Sequence, residues 1–525
     1  MRLTRIFGLL TLLTLPAFAA DDGSPPPAAP PATENPTVAP LPITPLLAGD
    51  PASAIFAALA TMNDDPIFTN AVVSVEVVNA STGLPVYAWG DDKALLPAST
   101  MKLLTAATAL RTLGAAYRFP TWIKHDGELT SDGVLAGNLY VLGQGDPTMV
   151  VERMWRMLQD VKLYGVREIQ GDVVFDDSYF ADTTLIPGWD KDDDIADGPT
   201  YFAPLGALSV NYNIANIVVR PGASAGVPAL AEFDTPTAVV ALDNQLTTGR
   251  ERSRKWVKVE RTVDAETGKI ATYKLTGNIP ADAEPDNVYR TLADPLGNYI
   301  GTFESLAKQV GIKVKGKFRP GTTAVDSVLV LRAESEPLAD ILAEMEKHSN
   351  NFMAEQIVRA VGAETGGLPG TTAKGISAIG DYLSALGVPA QDYHLVNGSG
   401  LSREITLRPS HIDKVLVDMW NNHEVGAEFV NALSVGGRDG TLWARFREDG
   451  MQGRVRGKTG TLGGVHCLAG YVRAVDGETY AFSFLVNDID GALTRARRAH
   501  DRLVLALAGV SANLADGGGG EGPVP

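Results

Sequence analysis

Leu96-Pro97-Ala98-Ser99-Thr100-Met101-Lys102-Leu103-Leu104-Thr105-Ala106-Ala107 is the stretch around which the rest of the chain is organised. From Lys102 onward it predicts a helix apolar on nearly every side, through Leu103, Leu104, Ala106, Ala107, Ala109 and Leu110, the pattern of a buried helix. Pro97 and Ser99 suit its start and Gly114 its end. Ser99 and Lys102 stand three residues apart, so they share one face of the first turn. A serine hydroxyl is a weak nucleophile at neutral pH and needs a base beside it. A lysine kept neutral by burial can be that base. About one Ser-x-x-Lys is expected by chance in a chain this long, so the pair gains meaning only from its surroundings.

Working outward, β-rich runs at 71–79 and 84–89 flank Ser81-Thr82-Gly83, a hairpin signal. Beyond about residue 117 short β-type runs alternate with turn residues, at 138–142, 170–175, 207–211, 215–220 and 256–260. Helices are expected among them near 149–163 and 303–310. Helical periodicity returns at 337–347 and at 352–361, with Gly362 as a stop signal, and again at 370–386 and 408–420. Three strands follow from Arg454, over 465–473 and over 479–486, and a closing helix covers 493–508. The order predicts an α+β, multi-domain chain. One domain, 49–119 and 325–512, is split by a mostly β insertion at 120–324.

The two ends fall outside this pattern. Arg2 and Arg5 precede an apolar run at 6–15, and Ala17-Phe18-Ala19 offers a small-x-small cleavage site, so residues 1–19 read as a secretory signal peptide. Its apolar core is too short to span a bilayer. Residues 20–48 are rich in Pro and Ala and read as an extended linker, and 513–525 as a flexible Gly-rich tail. Cys467 is the only cysteine, which excludes an intramolecular disulfide. An exported chain of that kind fits a bacterial periplasm or secretion from a bacterium, with at most peripheral membrane association. A net charge of −17 argues against nucleic-acid partners. The seven histidines form no ligand spacing, so neither a metal nor another cofactor is expected.

Two further motifs complete a set. Ser349-Asn350-Asn351 is a polar Ser-x-Asn turn between two predicted helices, and Lys458-Thr459-Gly460-Thr461 lies on a predicted strand. Together they supply what acyl transfer requires. Ser99 attacks a carbonyl while Lys102 takes its proton. Ser349 relays that proton to the leaving amine, and Asn351 holds the Lys102 amine and a substrate amide. Lys458 and Thr459 offer charge and a hydroxyl to a substrate carboxylate. Gly460 is expected to let a peptide lie against the strand, and the backbone N–H groups of Ser99 and Thr461 to form an oxyanion hole.

This trio, in this order, is that of penicillin-binding proteins and β-lactamases. The chain resembles more narrowly the low-molecular-mass class C penicillin-binding proteins, the D-alanyl-D-alanine carboxypeptidase/endopeptidases of peptidase family S13. Its hallmark is the long first gap: Ser349 lies 250 residues after Ser99, whereas Lys458 lies 109 after Ser349. Gly143-Gln144-Gly145-Asp146-Pro147, Ala207-Leu208-Ser209-Val210-Asn211 and Gly398-Ser399-Gly400-Leu401-Ser402-Arg403 look like the family too, although Asn397 stands where an Asp is common. The resemblance implies a transpeptidase-like domain with an antiparallel sheet, split by two nested extra domains. It also implies action on peptidoglycan stem peptides and acylation by β-lactams. By position in the acidic run 190–194, Asp193 is the counterpart of an acidic residue that faces the active site from an inserted domain. Leu462 resembles the family's apolar wall for a substrate side chain. A β-lactamase or esterase with the same trio is a rival reading, against which the long insertion speaks. A non-catalytic peptidoglycan-binding protein is another, against which the intact trio speaks.

Overall fold

The computed structural model describes residues 51–181, 186–189, 200–235, 237, 239–263, 270–489 and 493–510. The expected signal peptide, linker and tail, and Asp193, lie outside these residues. Every residue from Lys102 to Leu110 is buried in the Lys102–Leu113 helix, as an all-round apolar pattern demands. One 3-10 turn, Ala98–Met101, leads into it, and Gly114 ends it at φ 83, a conformation that glycine adopts without strain. Leu103, Leu104 and Leu110 pack with Ile341, Ile357 and Leu416 from the surrounding helices. At roughly 25 cal/mol per Å2, each such leucine contributes about 2–3 kcal/mol.

This helical layer covers one face of an antiparallel sheet. The strand order is Ser434–Val435, Val455–Leu462, Val465–Arg473, Thr479–Asn487, Val72–Asn79, Pro85–Trp89. The hairpin at the start of the chain therefore pairs with the last strand, Val75 opposite Phe484, and this closes the split domain. The two central strands, Val465–Arg473 and Thr479–Asn487, are buried almost throughout, because both of their faces are covered. The second face carries the Leu493–Ala508 helix and the Pro51–Asn63 helix, with Ile55, Leu59 and Met62 packed against Leu503 and Leu507. The Pro51–Asn63 helix was not expected, since PASAIFAALATMN has little helical periodicity of its own and is held by that packing.

The insertion has two cores of its own. Phe318–Pro320, Val173–Asp176, Leu139–Gly143, Pro120–His125 and Val328–Glu334 form a sheet backed by the helices Val151–Tyr164 and Pro295–Val310. Between Val210 and Leu296, two three-stranded sheets spanning Ile214 to Thr291 enclose a second core around Ile217, Leu275 and Ile279. Val328–Glu334 pairs with Pro120–His125, so the inserted sheet runs past the expected limit at 324; the missed cue was a strand partner some two hundred residues back.

Two smaller expectations need correcting. Residues 207–211 form a packed turn rather than a strand, because side chains claim their backbone groups: Leu208 N–H donates to Asp177, and Gly206 C=O accepts from Ser209 and Gln356. Gly362 does not stop its helix, which runs Asn351–Gly366. A Cβ there would stand 2.7 Å from Gly375 N and Thr371 O, so the glycine serves close packing of the Thr372–Ala385 helix.

Candidate active site

The serine turn is a strained element held from two sides. Ala98 has φ 46, a region that costs an alanine roughly 1–2 kcal/mol. A Cβ on Gly400 would lie 1.9 Å from Ala98 O, and one on Gly460 would lie 2.7 Å from Pro97 O. These two glycines let the Gly398–Arg403 segment and the Lys458 strand close onto the turn from opposite sides. Gly460 is itself buried against the serine turn, a close approach that its lack of a side chain permits.

Lys102 is fully buried while Ser99 is half-buried. Lys102 Nζ lies 3.1 Å from Ser99 Oγ, 2.7 Å from Asn351 Oδ1 and 2.7 Å from Ser399 O. A neutral amine has two N–H donors and one lone pair. Asn351 and Ser399 carbonyl oxygens accept only, so they take the two donors and leave the lone pair to the Ser99 hydroxyl. Burial lowers the Lys102 pKa well below the usual lysine range, the charge of Lys458 lowers it further, and Glu346 and Glu355 oppose the shift. The sequence showed the Ser99–Lys102 pair and Asn351, but not Ser399, whose contribution is a backbone carbonyl.

Ser349 and Asn351 come together through helix capping. Ser349 ends the Leu338–His348 helix in the left-handed region at φ 55, and Asn350 caps the next helix by accepting from Met353 N at 3.0 Å. Asn351 is then the first residue of that helix. Lys458 is fully buried, and its Nζ donates to Ser349 Oγ at 2.8 Å and to Thr459 O at 2.9 Å. Burial lowers its pKa to about 8, against the raising influence of Glu346. Thr459 Oγ1 lies 3.0 Å from Thr441 Oγ1.

A cleft of about 950 Å3 opens over these groups, lined by Ser99, Ser349, Asn351, Thr461 and Leu462. Gly188 and Thr200 to Phe202 line it from the insertion, on either side of the stretch that holds Asp193. The Ser434–Val435 strand pairs only with Arg456 and Gly457, so from Lys458 to Leu462 the strand has, among the described residues, a sheet neighbour on one side alone. That edge can accept an extended peptide.

Sequence reading assigned no site role to three further residues. Glu355, fully buried, accepts from Ser399 N at 2.7 Å and Gly398 N at 3.3 Å, fixing the segment whose carbonyl meets Lys102. Tyr201 C=O accepts from Asn351 Nδ2 at 3.2 Å. Asn397 accepts from Gly400 N and donates to Pro187 O at 2.9 Å, a bond that an ionised Asp could not donate. A cue to Glu355 was its place beside Met353, Ala354, Ile357 and Val358 on a helix buried over most of its length.

A serine-bearing helix laid on an antiparallel sheet, with a lysine one turn on and a Lys-Thr-Gly strand beside it, defines the penicillin-binding/β-lactamase-like class of serine enzymes. Residues 55–508 match the model of the D-Ala-D-Ala carboxypeptidase 3 (S13) family, and the chain belongs to that family. It is 34% identical over 444 residues to the D-alanyl-D-alanine carboxypeptidase of Actinomadura sp. (strain R39), covering 82% of this chain and 80% of that one. The crystal structure of penicillin-binding protein 4 (DacB) from Haemophilus influenzae is similar with a TM-score of 0.72 and 23% identity, over 84% of this chain and 97% of that chain. A second structure of that protein, complexed with a β-lactam, gives 0.69 and 22%, over 86% and 98%.

Proposed function

We propose that this chain is an exported, periplasmic or secreted, serine D,D-peptidase that acts on peptidoglycan stem peptides through an acyl-enzyme on Ser99, removing terminal D-Ala, cutting D,D-crosslinks, or both. The observation that carries this reading is the joint placement of Lys102 Nζ on Ser99 and Asn351 and of Lys458 Nζ on Ser349, at the floor of one cleft. Family membership and the identity to a D-alanyl-D-alanine carboxypeptidase support the substrate class.

Ser99 Oγ attacks the carbonyl carbon of the penultimate D-Ala and passes its proton to Lys102. The backbone N–H groups of Ser99 and Thr461 receive the developing oxyanion. As the C–N bond breaks, Ser349 delivers a proton to the leaving amine, with the Lys102 ammonium as its source. The Lys458 ammonium and the Thr459 hydroxyl attract the carboxylate of the terminal residue. Water then cleaves the Ser99 ester and restores the hydroxyl. Asp193 and Leu462 are assigned to the substrate side chain, Leu462 as an apolar wall of the cleft.

A β-lactam offers an acyl group and a carboxylate to the same residues, so it should acylate Ser99 and stay. The test is intact-mass measurement after incubation with benzylpenicillin, followed by peptide mapping. A persistent adduct of the whole drug on Ser99, lost in Ser99→Ala together with D-Ala release from a stem peptide, is expected. An adduct on Ser349, or one that hydrolyses within seconds, overturns the assignment, the second outcome in favour of a β-lactamase.

A further inference from the structure

Glu346 breaks the pattern of its helix. In Leu338–His348 the residues Leu338, Ile341, Leu342 and Met345 face the core, and Glu346 follows on the same stripe, four residues after Leu342 and three before Ser349. Its exposure is 0%, and neither carboxylate oxygen has a hydrogen-bond partner. A carboxylate so placed is strongly disfavoured unless nearby charge compensates it. A local rule broken at an active site without local compensation points to function.

The groups around it are few. From the neighbouring helix Lys102 faces it, and from the sheet Lys458 does so; their charges are the ones that act on it. Glu355, on the Asn351–Gly366 helix, acts on Lys102, and Arg359 in turn on Glu355. The Gly426–Ala432 helix offers Phe429 and Ala432 to the core. On its own helix, Lys347 is turned to Asp439 at 2.7 Å.

Resting on the D,D-peptidase reading, we propose that Glu346 is a positioning residue whose buried negative charge sets the protonation of the two active-site lysines, keeping Lys458 an ammonium for the substrate carboxylate and stabilising Lys102 once it has taken the Ser99 proton. The reaction needs the two lysines in opposite states at its outset, one neutral and one charged. Two buried ammonium groups side by side repel, and burial disfavours both. One carboxylate facing both offsets part of that penalty, first at Lys458 and then, during acylation, at Lys102 as its positive charge develops. Burial raises the Glu346 pKa to about 7 although both lysines lower it, so its charge is present above about pH 7, where it raises the pKa of both lysines.

The consequence is specific. Acylation requires neutral Lys102, which sets the acid limb of its pH profile, and charged Lys458, which sets the alkaline limb. Glu346 is charged above about pH 7, so removing that charge lowers the Lys458 pKa and moves the alkaline limb toward acid. The experiment measures the second-order rate of benzylpenicillin acylation from pH 5 to 10 in the parent, in Glu346→Gln and in Glu346→Leu. The Leu variant continues the apolar stripe and guards against misfolding, and circular dichroism confirms the fold of each. Both variants should move the alkaline limb toward acid by about one pH unit or more, so that the ratio of the rate at pH 6 to that at pH 9 rises by roughly tenfold. Unshifted profiles, or a uniform loss at every pH, overturn the proposal. So does loss of fold in both variants, which assigns Glu346 to structure. Failure of the underlying reading looks different: the parent itself is then not labelled on Ser99.

Discussion

Lys102 shows how much a single burial decides. Two carbonyl acceptors and one hydroxyl surround its nitrogen, and the neutral amine matches them, donating to Asn351 Oδ1 and Ser399 O and accepting the Ser99 hydroxyl proton on its lone pair. Lys102→Arg keeps positive charge and approximate length but cannot deprotonate under any accessible condition. Acylation by benzylpenicillin, followed by stopped-flow or quench and mass measurement, should fall by roughly three orders of magnitude or more. Near-parental acylation would identify another base. Lys458 predicts the other side of the profile. Its pKa, lowered to about 8 chiefly by burial, implies that carboxylate recognition weakens as pH rises through that value. The second-order acylation rate should therefore decline above about pH 8, and a flat profile to pH 10 would show that the ammonium is not needed.

At the scale of elements, the contact between the closing helix and the sheet carries a pH signature. His466 stands directly opposite Thr461 on the neighbouring strand, and its Nδ1 lies 3.0 Å from Nδ1 of His500 on the Leu493–Ala508 helix. Both rings are buried, their centroids 4.7 Å apart. One nitrogen can donate to the other only if the accepting ring is uncharged, so the two rings cannot both be protonated without losing this bond. Burial, then the charges of Arg445 and Arg497, lower His466 to about 3; burial, His466 and Arg445 lower His500. Folding thus favours neutral rings, and the unfolded chain binds more protons below about pH 6.5. Stability from this pair is complete above that pH and is lost as pH falls toward the folded values. The loss is about 1.4 kcal/mol per pH unit for each histidine. Urea unfolding at pH 7, 6, 5 and 4 should show it, and His500→Leu should reduce the slope by about that amount. An unchanged slope in the variant would place the acid sensitivity elsewhere.

At the scale of the molecule, the insertion braces the catalytic floor. Tyr201 C=O holds Asn351, Pro187 C=O holds Asn397, and Gly206 C=O accepts from Gln356 on the Asn351 helix. Trp189 and Phe202 pack with Phe352, one residue from Asn351. Gly188 and Thr200, described residues on either side of 190–199 in the sequence, line the cleft. Asp193, which lies outside the described residues, is proposed to select a stem peptide whose side chain ends in a free amine. A rim-like pair of this kind is worth about 1 kcal/mol, and somewhat more where the cleft desolvates it. Asp193→Ala should therefore lower kcat/KM for the free-amine peptide by roughly tenfold, with little change for the N-acetylated peptide or for benzylpenicillin. Equal losses on all three would remove Asp193 from the specificity site.

What the sequence determined by itself was local. Apolar residues all round the Lys102 helix, the Ser349-Asn350-Asn351 turn and the Lys-Thr-Gly strand each follow from spacing, capping and periodicity within about fifteen residues, and they sufficed to single out Ser99, Lys102, Ser349, Asn351 and Lys458, which the fold brings together. Tertiary structure alone decided the rest. The pairing of Val72–Asn79 with Thr479–Asn487, some four hundred residues apart, depends on long-range packing that no local pattern encodes. The Pro51–Asn63 helix exists because the sheet's second face needs cover. The carbonyls of Ser399 and Tyr201 act through backbone, which is the same for every residue type. Gly460 and Gly362 were legible as glycines, yet whether each turned the chain, met a ligand or admitted a neighbour depended on what the fold brought within 3 Å of them. Charge state was tertiary too, because a lysine becomes a base only when other elements strip away its water and set another ammonium beside it.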